Sequence, residues 1–180
     1  MFPGNQYRMG ELAAAVALAQ FDRLDGMLGR CRAVWDGVRA RVRAALPEFA
    51  FRDTGDDAGD AGITLFLDLQ TPAASAAFGR ALAAEGIRLG PSSGMVNLLH
   101  EEYVLRKTQP HPALPPFGPG WTGEHAVYSL ADAPRTDAIL ASMVAIGIGP
   151  RFTEADADDI AAAIIKVAGH ANTNPQEQDQ

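Results

Sequence analysis

The residues best suited to chemistry stand at the start of the chain. Asn5 and Gln6 bring side-chain amides and Arg8 brings a fixed positive charge, just before a long helical pattern. Amide donors and a guanidinium beside a helix N-terminus suit a phosphate or another small anion. A plainer reading is a helix start in which Arg8 pairs with Glu11 or Asp22 and Glu11 is an ordinary first-turn carboxylate.

The remaining reactive side chains are scattered. His100, His111, His125 and His170 show no close pair of the kind a metal site uses, such as two histidines four apart on one helix. His100 with Glu101 and Glu102 reads as helix-start charge. Ser92-Ser93-Gly94 lies in a loop without the elbow motif of a serine nucleophile. Asp56, Asp57 and Asp60 lack calcium-loop spacing and read as a solvated turn. Cys31, the single cysteine, falls on an apolar stripe and reads as a buried structural thiol. Trp35 and Trp121 read as core or interface aromatics. The only lysines are Lys107, in a loop region, and Lys166, in the last helix.

These residues are carried on elements that the periodicity predicts. Leu24, Leu28, Cys31, Trp35, Val38 and Val42 repeat at helical spacing, with Arg30, Arg32, Arg39, Arg41 and Arg43 mostly on the other side. Upstream, Leu12, Val16 and Ala19 continue helix with a wider apolar face, which implies burial against another domain or subunit. Gly26 and Gly29 predict a bend or break between two helices, and Pro47 ends the region. A short strand at Phe49 to Phe51 precedes a loop from Asp53 to Gly62. A strand follows from Ile63 to Leu67. Thr71-Pro72 starts a helix with Phe78 and Leu82 inward, stopped by Gly86. Ile87 to Leu89 reads as a second short strand.

Residues 90–121 are rich in proline and glycine, with one short helix near Glu101 to Arg106. Pro134 to Met143 reads as a helix and Ala145 to Ile148 as an extended segment. Thr153 and Asp156 form a capping box for a last helix with Ile160, Ile164 and Val167 inward and Gly169 at its end. The tail from Asn172 is polar and expected to be disordered. The fold class is therefore α/β, a small domain led by a helical arm. The expected division is an arm at 1–46, a small α/β domain at 47–170 and a tail at 171–180. There is no internal repeat.

Composition narrows the function. A net charge of -7 argues against nucleic acid and against an anionic membrane surface. No apolar run reaches spanning length. One cysteine and an N-terminus without signal-peptide character point to a soluble, cytoplasmic protein.

Two stretches carry a resemblance. Gly4-Asn5-Gln6-Tyr7-Arg8-Met9-Gly10-Glu11-Leu12, continuing through an alanine-rich helix to Leu24-Asp25, resembles a signature of the DegT/DnrJ/EryC1/StrS aminotransferases. Pro134-Arg135-Thr136-Asp137 and Ile146-Gly147-Ile148-Gly149-Pro150-Arg151-Phe152-Thr153 resemble that family's closing motif. Gly62-Ile63-Thr64-Leu65 and Ala84-Glu85-Gly86-Ile87 also fit. The resemblance covers nearly the whole chain.

It implies the small C-terminal domain of a fold-type I pyridoxal-phosphate enzyme, usually a homodimer with active sites between subunits. Such an enzyme moves an amino group from an amino acid to a keto-sugar or related ketone. The resemblance makes Gln6, with Asn5 beside it and Arg8 nearby, the contact to the cofactor phosphate of the neighbouring subunit. Gln6 stands where the family has asparagine and is longer by one methylene. The family's Schiff-base lysine, stacking aromatic and pyridine-pairing aspartate lie upstream of this motif, so none is expected here. The chemistry needs an amine that holds the aldehyde as an imine and shuttles a proton. The expectation is that the chain alone does not transaminate. Relatives that replace the lysine with histidine leave a dehydratase open. The alternative is a non-catalytic interaction module that associates with itself or a separate partner through the alanine-rich face.

Overall fold

The computed structural model describes residues 8–53, 55–90 and 128–173. Two helices come first, α1 (Glu11–Phe21) and α2 (Leu24–Ala45). Strand β1 (Thr64–Asp68) and helix α3 (Pro72–Ala84) follow. A single 3-10 turn (Leu130–Asp132) leads into α4 (Pro134–Ser142), β2 (Met143–Gly147) and the last helix α5 (Glu154–Thr173).

The break between α1 and α2 falls at Asp22 and Arg23, not at the glycines. The Asp22 N–H donates to the Leu18 carbonyl and the Arg23 N–H to the Gln20 carbonyl, each at 3.1 Å. That tightens the last turn and redirects the chain. Gly26 and Gly29 sit inside the first turns of α2, where an added Cβ would meet little or nothing. They are tolerated helical positions on an exposed surface, so they never had to bend it.

β1 and β2 pair antiparallel, with Leu65 opposite Ile146 and Leu67 opposite Val144. Period-two alternation puts these four on one face, and all four are buried. The strands expected at 49–51 and 87–89 each reduce to one bridge, Phe51 to Leu67 on one side and Leu89 to Ile146 on the other. Arg52 N–H to the Phe66 carbonyl and Asp68 N–H to the Ala50 carbonyl hold the first of them.

Helices α2, α3 and α5 supply the rest of the core. From α2 come Cys31, Val34, Trp35, Val38 and Val42; from α3, Phe78 and Leu82; from α5, Ile160, Ile164 and Val167. Leu24 and Leu28, on the same stripe, lie outside it, Leu24 exposed and Leu28 half-buried. The cores of α2 and α5 meet, and Arg41 on α2 reaches across to Glu154 and Asp158 on α5.

Local signals set the ends. The Thr71 hydroxyl accepts from Ala74 N–H at 3.2 Å, with Pro72 at the first helical position. Gly86 takes a positive φ of 87° just past α3. At the start of α5, Thr153 and Asp156 form the expected reciprocal cap, with the Thr153 N–H donating to Asp156 at 2.6 Å. Gly169 does not end that helix, which continues to Thr173. A glycine inside a helix costs about 1 kcal/mol, and the turns before it are anchored in the core.

Candidate functional site

The first candidate lies where α1 begins. Gly10 is its N-cap in extended conformation and makes no side-chain cap bond, so among the described residues no side chain caps the N–H groups of the first turn. Arg8 stands two residues before, exposed to solvent. An uncapped N-terminus with a guanidinium beside it can hold an anion. Asn5, Gln6 and Tyr7 lie outside the described residues, so Arg8 is the part of the expected contact that the structure shows.

The helix behind Arg8 is unusual. None of its residues is buried. Leu12 is 82% exposed and Phe21 71%, and Met9, Val16 and Leu18 are exposed too. Apolar residues ring the helix rather than forming a stripe, which is the pattern of a helix enclosed on several sides.

A second cluster was not legible as a site. Arg39 was expected on the solvent side of α2, yet it is only 6% exposed. Its guanidinium stacks 3.9 Å from the Trp35 ring centre, and Nη1 donates to Asp57 Oδ2 at 2.8 Å. The signal was available in the spacing: Arg39 is four residues after Trp35 and three before Val42, so it shares their face.

The loop opposite is therefore not simply a solvated turn. Asp57 anchors it to α2. Arg32 Nε donates to the Asp60 carbonyl at 2.7 Å, and Asp60 Oδ1 accepts the Gly62 N–H at 2.8 Å. Gly62 comes so close to Arg32 that a Cβ there would sit 2.9 Å from Arg32 Cα, and its φ is 68°. Only glycine fits there. Between loop and helix a cavity of about 340 Å³ is lined by Arg39, Arg43, Phe51, Arg52, Asp53, Asp56 and Asp57.

Other expectations resolve simply. Cys31 is buried, with Sγ 4.0 Å from the Ile148 carbonyl, as a structural thiol should be. Trp35 is buried, and its indole N–H donates to the Thr64 carbonyl. His170 is exposed in the last turns of α5. Among the described residues no group of three His, Cys, Asp or Glu could hold a metal, and no helix is long and apolar enough to cross a membrane. His100, Glu101, Glu102, His111, His125, Ser92, Ser93, Gly94, Lys107 and Trp121 lie outside the described residues.

With the geometry in place, comparison with known proteins is decisive at one level. The model of the DegT/DnrJ/EryC1/StrS aminotransferase family matches residues 1–165. The chain belongs to this family. A search of curated proteins gave no match. Membership implies a pyridoxal-phosphate-dependent aminotransferase of sugar biosynthesis, as the opening and closing motifs suggested.

The described residues do not by themselves fit the cofactor that membership implies. Pyridoxal phosphate needs an amine for its aldehyde. Lys166 is the one lysine among them, and its ammonium is tied to Glu85 at 2.7 Å on the surface between α5 and the end of α3. Arg8 offers charge for the phosphate, and no reaction step can be derived from these residues alone.

Proposed function

We propose that these residues form the C-terminal part of a pyridoxal-phosphate-dependent aminotransferase of fold type I. It moves an amino group from an amino acid to a keto-sugar or related ketone, and the reactive lysine is supplied from outside this chain. The observation that carries the reading is the family match over 1–165. It is supported by α1, a family-signature helix with no buried residue. On this reading residues 1–46 are an arm that packs against a large domain and a second subunit. Residues 47–170 are the small domain, and the tail follows. Asn5, Gln6 and Arg8 reach the cofactor phosphate of the neighbouring subunit in a homodimer, through amide donors and a guanidinium at a helix start.

Residues 1–180 alone then neither retain the cofactor nor transaminate. The test is incubation of the purified chain with pyridoxal phosphate, borohydride reduction and peptide mapping. The expected result is no lysine labelled above the level of a denatured control. Stoichiometric labelling of Lys107 or Lys166, with transamination, would overturn the reading.

The bare arm also favours a second reading, a non-catalytic module that associates through α1 with itself or with a separate chain. Intact mass of the natural protein separates the two. A mass well above that of 180 residues supports the aminotransferase, and a mass equal to it supports the module.

A further inference from the structure

We propose that the cavity between α2 and the acidic residues Asp53, Asp56 and Asp57 binds a small zwitterion of the class of a free α-amino acid. The proposal does not rest on the aminotransferase reading; it rests on two facing walls of opposite charge.

The basic wall is built on α2 and the segment after Phe51. Arg39 and Arg43 are one helical turn apart, and Arg52 follows Phe51. Arg39 is buried and spends Nη1 on Asp57, while its Nε is buried without a hydrogen-bond partner among the described residues. Burying a guanidinium is costly, so Arg39 is a fixed, desolvated charge rather than a solvated surface cation. Arg43 has no carboxylate partner among the described residues; its guanidinium lies 5.6 Å from the Phe51 ring centre. Arg52 stacks over Phe66 at 4.5 Å and approaches Asp60 only to 3.8 Å, beyond hydrogen-bond range. Two guanidiniums therefore keep unspent donors at the cavity.

The acidic wall is the loop. Asp53 Oδ1 accepts the Gly55 N–H at 2.8 Å, and Asp56 Oδ1 accepts the Gly59 N–H at 2.9 Å. These bonds fix both carboxylates and leave each a second oxygen without a hydrogen bond to the described residues. The Arg39–Asp57 pair ties the two walls together at a set separation.

Charge decides the ligand class. A simple anion would meet the loop's carboxylates, and a simple cation would meet the guanidiniums. A molecule with a carboxylate at one end and an ammonium at the other satisfies both, with the Phe51 ring beside its carbon skeleton. A volume of about 340 Å³ admits a molecule of that size with solvent to spare.

The test is ligand-observed NMR on the cofactor-free 180-residue chain, with L-alanine as probe. Acetate and methylammonium serve as half-ligands and inorganic phosphate as the plain anion. L-alanine should bind at least ten times more tightly than acetate, methylammonium or phosphate. Arg43→Ala and Asp56→Asn, both at exposed positions, should each weaken alanine at least tenfold while leaving Tm within a few degrees. Two further substitutions, Arg43→Lys and Asp56→Glu, keep the charges and should restore part of the binding. The proposal is overturned if alanine does not bind, or if both charge-removing variants bind it as well as the parent. Phosphate binding as tightly as alanine would also overturn it, by making this a plain anion site.

Discussion

Helices α1 and α2 are neighbours in sequence and opposites in physics. α2 confines its apolar residues to a stripe, and that stripe is buried on the sheet and α5. α1 carries leucine, valine and phenylalanine around its whole circumference and buries none of them. The surface that covers α2 lies within the described residues, and none of the described residues buries α1. Exposed apolar surface of this kind is what an interaction site presents, in keeping with the arm proposed above.

The largest prediction follows from that contrast. Ile164→Ala removes a side chain that is 0% exposed and should cost about 2–5 kcal/mol in urea unfolding. Leu12→Ala removes one that is 82% exposed and should change stability by no more than about 0.5 kcal/mol. If the two cost the same, α1 is packed in the isolated chain and the comparison fails. It sharpens if Leu12→Ala becomes costly only in the assembly proposed above.

Arg39 tests the other half of the comparison, since it shows how firmly α2 is held. Asp57→Asn leaves a buried guanidinium with a neutral partner. Because Asp57 is itself half exposed, the loss should be about 1–3 kcal/mol by denaturant titration. Arg39→Met, which fills the place over Trp35 without a charge, should lose less than Arg39→Ala. The reverse order would mean that charge, not packing, holds the loop.

What could be read from the sequence follows a physical line. Features fixed by a few neighbouring residues were legible. Thr71-Pro72 and Thr153 with Asp156 start helices by chemistry within one turn, and the core faces of α3 and α5 follow from spacing alone. Features fixed by contacts far along the chain were not. Arg39 is buried because Trp35 and a loop some eighteen residues later close over it, and the Asp57 that pairs with it looked like any acidic turn. The helix break was misjudged for a different reason. Glycines are common punctuation, but Gly26 and Gly29 are outvoted by the helix formers around them, whereas Asp22 and Arg23 carry no warning in their types. Of the cofactor contacts the resemblance pointed to, the structure describes Arg8 alone, exposed before a helix whose N-cap, Gly10, makes no side-chain bond.

A smaller effect belongs to α3, whose start depends on one hydroxyl. Thr71→Ala should cost about 1 kcal/mol, and Thr71→Ser should recover most of it, because serine keeps the acceptor for the Ala74 N–H. The equivalent change in α1 has no counterpart, since Gly10 offers no side chain. Gly10→Ser should therefore stabilise α1 slightly, visible as slower amide exchange in its first turn.

The smallest effect is at the cap of α5 and concerns pH. The Thr153 hydroxyl, and after it the Thr153 backbone N–H, donate to the Asp156 carboxylate and hold its pKa below the usual 3.8. A carboxyl whose folded pKa is depressed binds its proton more readily when unfolded. Its contribution to stability is therefore complete above the unfolded value and is lost as pH falls through the folded one. Thermal unfolding should show a modest loss of stability across that acidic range. Thr153→Val removes the hydroxyl but keeps the N–H, so it should shrink the loss without abolishing it. An unchanged acid profile in that variant would mean that the backbone bond alone sets the charge on Asp156. The start of α5 would then resemble the start of α1 more closely than its side-chain cap suggests.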